Sequence, residues 1–211
     1  MNGSQPNMSS SFVDELDHAR AQEYALLATL LSHGPDAQMI AGLTRLRGDA
    51  SPLGIAHAAL AKAARHTGAA AAGREFFTLF AGLGQQQTLL PYASHYLAGT
   101  LYGRPLARLR ETLQQLGIAR ADGTSEPEDH SATLCEIMAG LIRAEIPAPD
   151  DTERQFFADH LKPWIRRFFV DLANVKAAPF YACVGSLGRE FIDIETKAFS
   201  FLEAPPTAGE T

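Results

Sequence analysis

Cysteine is nearly absent: Cys135 and Cys183 are the only two in 211 residues. Neither belongs to a CxxC pair, which argues against a zinc site or a redox dithiol and fits a reducing compartment. β-Branched residues are also scarce. Val and Ile together number 13, against 60 Ala and Leu. Straight and small side chains favour helix, so a sheet is not expected. No stretch reaches ~18 consecutive apolar residues, which excludes a spanning helix. The segment Met1–Ser11 has neither an apolar h-region nor a basic n-region. No signal peptide is therefore expected, and the default location is cytoplasmic. A basic excess is lacking too. Lys and Arg number 18 against 24 Asp and Glu, a net charge of −6. Such a surface repels phosphate backbones and makes nucleic acid a poor partner. It favours a cationic partner, weakly and in a salt-dependent way. There is no GKS or GKT phosphate loop and no HExxH, and the seven histidines have no ligand spacing. No metal and no cofactor are expected.

What is present reads as helix throughout: an all-α bundle of roughly eight to eleven helices. Residues 1–10 read as a flexible tail, 11–203 as one helical domain, and 204–211 as a second tail. Ser11 is the expected cap of a first helix, with Phe12, Leu16, Ala19, Leu27 and Leu30 on its buried face. His33-Gly34-Pro35 stops it. Ser51-Pro52 opens a helix lined by Ile55, Ala59 and Ala63. Phe76, Phe77, Leu79 and Phe80 cover more than one face and predict burial on several sides. Gly82–Gln87 reads as a polar loop, after which Pro91 restarts a helix that breaks at Gly103-Arg104-Pro105. Leu106, Leu109, Leu113 and Leu116 form an amphipathic helix closed by Gly117. Residues 119–125, with Asp122-Gly123, are the expected hinge between a part ending near 118 and a part starting near 126. That hinge allows either a monomer or a domain-swapped dimer. Ser125-Glu126-Pro127-Glu128 matches a capping box for the helix carrying Leu134, Ile137, Met138, Leu141 and Ile142. A long aromatic helix with Phe157, Leu161, Trp164, Ile165, Phe168 and Leu172 follows, kinked or broken at Pro163. After Pro179 comes a last helix with Val184, Leu187, Phe191 and Phe199.

Few residues carry candidate chemistry. Asp129-His130 sits at an expected helix start, where the positive end of the helix favours the carboxylate and disfavours imidazolium. An adjacent acid and imidazole suit acid/base work. Sequence neighbours on a helix point in different directions, so the pair reads first as capping or solvated. Tyr92, His95 and Tyr96 share one helix face, which suits either half-buried packing or a grip on a partly apolar ligand. Ser94 has no nucleophile-elbow motif around it. The aromatic set around Trp164 reads as core.

Certain stretches, taken in order, carry a resemblance. Glu75-Phe76-Phe77-Thr78-Leu79-Phe80-Ala81-Gly82 leads to Pro91-Tyr92-Ala93-Ser94-His95-Tyr96. Glu126-Pro127-Glu128-Asp129-His130 follows, then Phe156-Phe157-Ala158-Asp159-His160-Leu161 with Trp164, and Phe180-Tyr181. From about Tyr24 to Phe199 the chain resembles the TorD/DmsD/NarJ family of redox-enzyme maturation chaperones, in its TorD-like branch. The resemblance implies a cytoplasmic helical chaperone that is not an enzyme. Its partners would be the twin-arginine signal peptide and the apo form of a molybdoenzyme catalytic subunit, held until the cofactor is inserted. Carried over box by box, the implied peptide site is Tyr92, Ser94, Tyr96, Asp129 and His130, with Glu126 and Pro127 shaping the helix start. Some relatives have tryptophan where this chain has Tyr92 and Tyr96. The second half, Gly103 to Phe199, is similar to chaperones of formate dehydrogenase catalytic subunits. Other readings stay open: a small helical hydrolase or nucleotide-binding enzyme using Asp129 and His130, and a general helix-binding adaptor. An aromatic-lined groove with Asp129 as its charge would suit a leader that has a cationic end and an apolar stretch.

Overall fold

The structure, a computed structural model, describes residues 8–81, 89–120 and 126–203. The Gly82–Gln87 loop, most of the expected hinge (residues 121–125) and residues 1–7 and 204–211 of the expected tails lie outside them. Among the described residues the chain is all-helical and has nine α-helices. They are α1 (Met8–Ser32), α2 (Ala37–Leu43), α3 (Pro52–Phe76), α4 (Ala93–Ala98), α5 (Arg104–Gln115), α6 (Ser131–Ile142), α7 (Thr152–Phe156), α8 (Ile165–Ala173) and α9 (Pro179–Glu203). Two π-helical turns, Phe77–Ala81 and Phe157–Leu161, extend α3 and α7. No helix among the described residues is long and apolar enough to cross a membrane.

The packing follows the apolar stripes. α1 lies along α6, and α9 lies against both α3 and α8. Trp164, Phe156, Phe157, Phe168, Phe169, Phe180 and Tyr181 form the buried aromatic centre. The α8–α9 approach is close: a Cβ at Gly185 would collide with the Ala173 backbone. Arg20 of α1 donates to both carboxylate oxygens of buried Glu195 on α9, at 2.8 and 2.9 Å, and to Glu153 of α7 at 3.2 Å. One guanidinium fork thus ties three helices. Glu75, near the end of α3, accepts from the N–H groups of Phe180 (3.0 Å) and Tyr181 (3.1 Å). It caps α9 from a distant part of the chain.

Ser51 caps α3 as expected, its side chain accepting from the Gly54 N–H. Gly117 closes α5 with φ 68°. Several expectations need correction. α1 starts at Met8, so Ser11 lies inside it rather than capping it. Leu27 and Leu30 lie on the buried face of α1 as expected, with Ala21, Tyr24 and Leu31, but Leu16 is 55% exposed and Ala19 is exposed too. On α3 the buried stripe is Ala56, Leu60 and Ala64, while Ile55 is 60% exposed. The shift by one residue rotates the stripe by about 100°. Phe77 is exposed while Leu79, two residues on and so on nearly the opposite side of the helix, is buried. As expected, the long aromatic helix breaks at Pro163, and Trp164 takes φ −145° before α8.

The capping box is also corrected. Residues 126–130 do not form a helix, and α6 starts at Ser131 with His130 as its N-cap. Ser125 lies outside the described residues. The reason is that residues 129–131 commit their backbone groups to another segment, described below.

Trp164 is buried and its indole N–H donates to the His160 carbonyl at 2.7 Å. Phe80 is half-buried against Phe76, Phe168 and Tyr181. Trp164→Ala is expected to cost about 3–5 kcal/mol and Phe80→Ala distinctly less. Gly68 interrupts α3 with φ 69° and ψ 165°, a region almost closed to other residues. No atom would meet a Cβ there, so the penalty for Gly68→Ala comes from the backbone alone. That variant is expected to lose about 1–3 kcal/mol in urea unfolding with an unchanged helical circular-dichroism spectrum.

Candidate functional site

The two motifs that stand 34 residues apart in sequence meet through their backbones. Pro91–Ala93 and Asp129–Ser131 pair antiparallel around Tyr92 and His130. The Ala93 N–H donates to the Asp129 carbonyl at 3.0 Å, and the Ser131 N–H donates to the Pro91 carbonyl at 2.7 Å. Each segment then runs straight into a helix, α4 from one and α6 from the other. Two helix starts therefore lie side by side, with two sets of N–H groups to satisfy.

The side chains complete that account. Tyr92, at the N-cap of α4, offers no capping bond. Asp129 supplies it instead: its Oδ2 accepts from the Ser94 N–H at 2.7 Å. His130 caps its own helix, with Nδ1 accepting from the Ala132 N–H at 3.1 Å. Asp129 and Ser94 are fully buried. The Ser94 hydroxyl accepts from the Tyr102 N–H at 3.1 Å, so it serves the backbone. Among the described residues Asp129 Oδ1 is buried without a hydrogen-bond partner. The acid/base reading of Asp129 and His130 gains nothing from this geometry, since each side chain caps a different helix.

His130 holds its proton on Nε2, because Nδ1 is the acceptor. Nε2 lies 3.9 Å from Glu126 Oε1, beyond hydrogen-bond reach. Burial lowers the His130 pKa from the ordinary 6.5 more than the nearby carboxylates of Glu126 and Asp129 raise it. The Tyr92 hydroxyl donates to Glu126 Oε1 at 2.7 Å, and its ring meets the His130 ring edge-on at 5.0 Å. Burial first, and the Glu126 bond second, push the Tyr92 phenol pKa well up. Pro127 is buried and its carbonyl accepts from the His130 N–H at 3.3 Å. Five of the seven sequence-derived residues, Tyr92, Ser94, Glu126, Asp129 and His130, thus share one bonded cluster, and Pro127 supports it. Tyr96 leaves in another direction. Its hydroxyl donates to Asp171 at 2.9 Å, its ring lies 5.5 Å from that of Trp164, and Arg167 sits over it at 5.5 Å.

Cavities flank this cluster. The largest, about 790 Å³, lies between α5, residues 117–120, residues 126–128 and α6. Its floor is Leu113, Ile118, Ile137 and Ile146, and its rim carries Glu126 and Glu136. Its apolar lining is aliphatic rather than aromatic; Tyr92 is buried and Tyr96 bonds to Asp171 of α8. A second cavity of about 340 Å³ lies between α1 and α6, where His130, Glu126 and Glu136 all border it. A third, about 390 Å³, is bordered by Asp129, Arg104, Arg108 and His160. No group of three or more His, Cys, Asp or Glu side chains among the described residues could hold a metal ion. Sequence reasoning missed Glu136. The available signal was that it is the single charged residue of α6.

Residues 47–170 match the sequence model of the nitrate reductase delta subunit family. The chaperone protein TorD of Vibrio cholerae is 28% identical over 116 residues, 51% of this chain and 53% of that protein. The Tat proofreading chaperone DmsD of Salmonella typhimurium is 34% identical over 101 residues, 47% of this chain and 48% of that protein. The chain thus spans about half the length of the curated relatives it matches. A crystal structure described as that of a redox enzyme maturation protein from Archaeoglobus fulgidus superposes with a TM-score of 0.53. It covers 81% of this chain and 93% of its own at 21% identity, and so shares the fold.

Asp129→Ala removes a buried, charge-assisted cap and is expected to cost about 1–3 kcal/mol of stability in urea unfolding. His130 sets a pH dependence of definite sign. Its folded pKa lies below the ordinary 6.5, so the unfolded chain binds the proton more readily. Stability is lost as pH falls below about 6.5. Asn also caps helices. His130→Asn is therefore expected to lose less stability than the parent between pH 7 and 5, measured by thermal unfolding in matched buffers.

Proposed function

The chain belongs to the nitrate reductase delta subunit family, and from that membership we propose that it is a cytoplasmic, system-specific chaperone for redox-enzyme maturation. In this reading it binds the twin-arginine signal peptide and the apo form of a molybdenum-cofactor oxidoreductase subunit. It holds that client back from export until its cofactor is in place. The similarity to TorD and DmsD supports a chaperone over an enzyme. The observation that carries the reading is the antiparallel pairing of 91–93 with 129–131. It joins the two motifs into one rigid wall and leaves Glu126, a half-exposed carboxylate, at the rim of a large apolar groove.

The chemistry fits a leader peptide. A cationic end seeks carboxylates, and an apolar stretch seeks an aliphatic floor. Within the proposed site the roles divide. Glu126 offers charge; Tyr92 and His130 fix Glu126 and the helix start. Asp129, Ser94 and Pro127 hold the wall in place, and Tyr96 anchors α4 to α8. Asp129 would act on the peptide mainly through this wall, because one oxygen is committed to α4. Formate dehydrogenase, the client that the sequence resemblance of residues 103–199 implies, is the proposed one.

Calorimetric titration tests the reading. A formate dehydrogenase leader is expected to bind, and a leader with both arginines changed to glutamine to bind at least tenfold more weakly, an increment of about 1.4 kcal/mol. Raising salt is expected to weaken binding of the parent leader more than of the altered one. Equal binding of both leaders points instead to a general helix-binding adaptor.

A further inference from the structure

The functional reading leaves open how a pair of adjacent arginines is told from a single one. Two of the cavities beside the cluster bear on this. Both the 790 Å³ groove and the 340 Å³ cavity are bordered by the same three side chains, Glu126, Thr133 and Glu136. Thr133 and Glu136 are three apart on α6 and therefore share a face. They form a ridge with a cavity on either side. One cavity opens toward α5, the other toward α1.

Successive side chains of an extended peptide point to opposite sides. An adjacent arginine pair laid across a ridge therefore sends one side chain to each flank. A lone arginine fills only one.

We infer that the Thr133–Glu136 ridge of α6 is the seat of the arginine pair, with one guanidinium in each flanking cavity and Glu126 and Glu136 as their shared carboxylates. The inference rests on the leader-peptide reading above. Charge supports it on both flanks. The smaller cavity is bordered by Glu126, Glu136 and Glu145 against one cation, Arg143. The larger is bordered by Glu126, Glu128 and Glu136 against Arg110 and Arg120. Arg110 is already held by Glu128 at 2.8 Å, and Arg120 donates to the Glu126 carbonyl at 3.2 Å. Glu136 is exposed and makes no hydrogen bond or ion pair among the described residues, so its charge is available. Past the ridge, the larger groove continues over Leu113, Ile118, Ile137 and Ile146. That floor receives the apolar stretch that follows the arginines and sets the direction of the bound peptide.

The probe is a synthetic peptide with a polar head, an Arg-Arg pair and a Leu/Ala run, together with two forms carrying one arginine changed to glutamine. Each is titrated calorimetrically into the parent, Glu136→Gln and, as a net-charge control outside both cavities, Glu111→Gln. Glu136→Gln is expected to melt with the parent and to bind the Arg-Arg peptide roughly tenfold more weakly, as for loss of one charge-assisted arginine contact. Glu111→Gln is expected to bind as the parent does. Against Glu136→Gln, at least one single-arginine peptide should lose less than it loses against the parent, which shows coupling across the pair. If the parent binds the Arg-Arg peptide and Glu136→Gln binds it equally well, with no coupling, the ridge assignment is overturned and the leader-peptide reading stands. If the parent does not distinguish the Arg-Arg peptide from its single-arginine forms, recognition of the pair is overturned. If the parent binds no twin-arginine peptide, the functional reading falls and takes the ridge with it.

Discussion

The pairing of Pro91–Ala93 with Asp129–Ser131 is the constraint on which the site depends. It consists of two backbone hydrogen bonds and one carboxylate cap. Each backbone bond is worth only about 0.5–1.5 kcal/mol on its own. Its importance lies in what it orients. Two helix starts are fixed side by side, and their first N–H groups are satisfied across the gap rather than along each chain. The ring of Tyr92 is held against His130, and the Tyr92 hydroxyl then reaches Glu126. Every side chain of the cluster takes its position from that short antiparallel stretch.

The same device recurs at the start of α9. Glu75 caps α9 across 105 residues, as Asp129 caps α4 across 35. Both acids belong to the sequence stretches that carry the family likeness. Both spend a carboxylate on another helix's N–H groups, where the helix dipole and the hydrogen bond act together. An acid in these motifs is thus first a link between distant helices. The charge that faces outward is carried by neighbours, Glu126 and Glu136.

The helices were legible because their stop signals are local. Ser51-Pro52, Gly117 and Pro163 each act within one turn and mark the expected boundary, whereas Gly103-Arg104-Pro105 opens α5 and α4 already ends at Gly99. The buried face of α3 was less legible. The helix is rich in alanine, which suits either side of a helix, so periodicity left its phase undecided by one residue. On α1 only the first part was misplaced, since Leu27 and Leu30 are buried and Leu16 is not. The start of α6 was misread for a different reason. Ser125-Glu126-Pro127-Glu128 is a sound local cap pattern, yet residues 129–131 are claimed by a segment far away in sequence. No local rule contains that information. The candidate site was legible in membership, since the two motifs do meet, but not in roles. Burial of Asp129 and the departure of Tyr96 toward Asp171 depend on packing. Glu136 stands in the middle of an apolar helix, and nothing in its local sequence sets it apart from an ordinary solvent-facing charge.

The borrowed cap of α4 has a consequence for the order of synthesis. A six-residue helix is far too short to persist alone in water. Its missing N-terminal acceptor is a carboxylate that leaves the ribosome 35 residues later. Until that carboxylate arrives, the nascent chain holds the tyrosine-bearing motif without a wall to mount it on. Assembly of the proposed recognition surface therefore waits until Asp129 has emerged, and a chain stopped short of it lacks that wall.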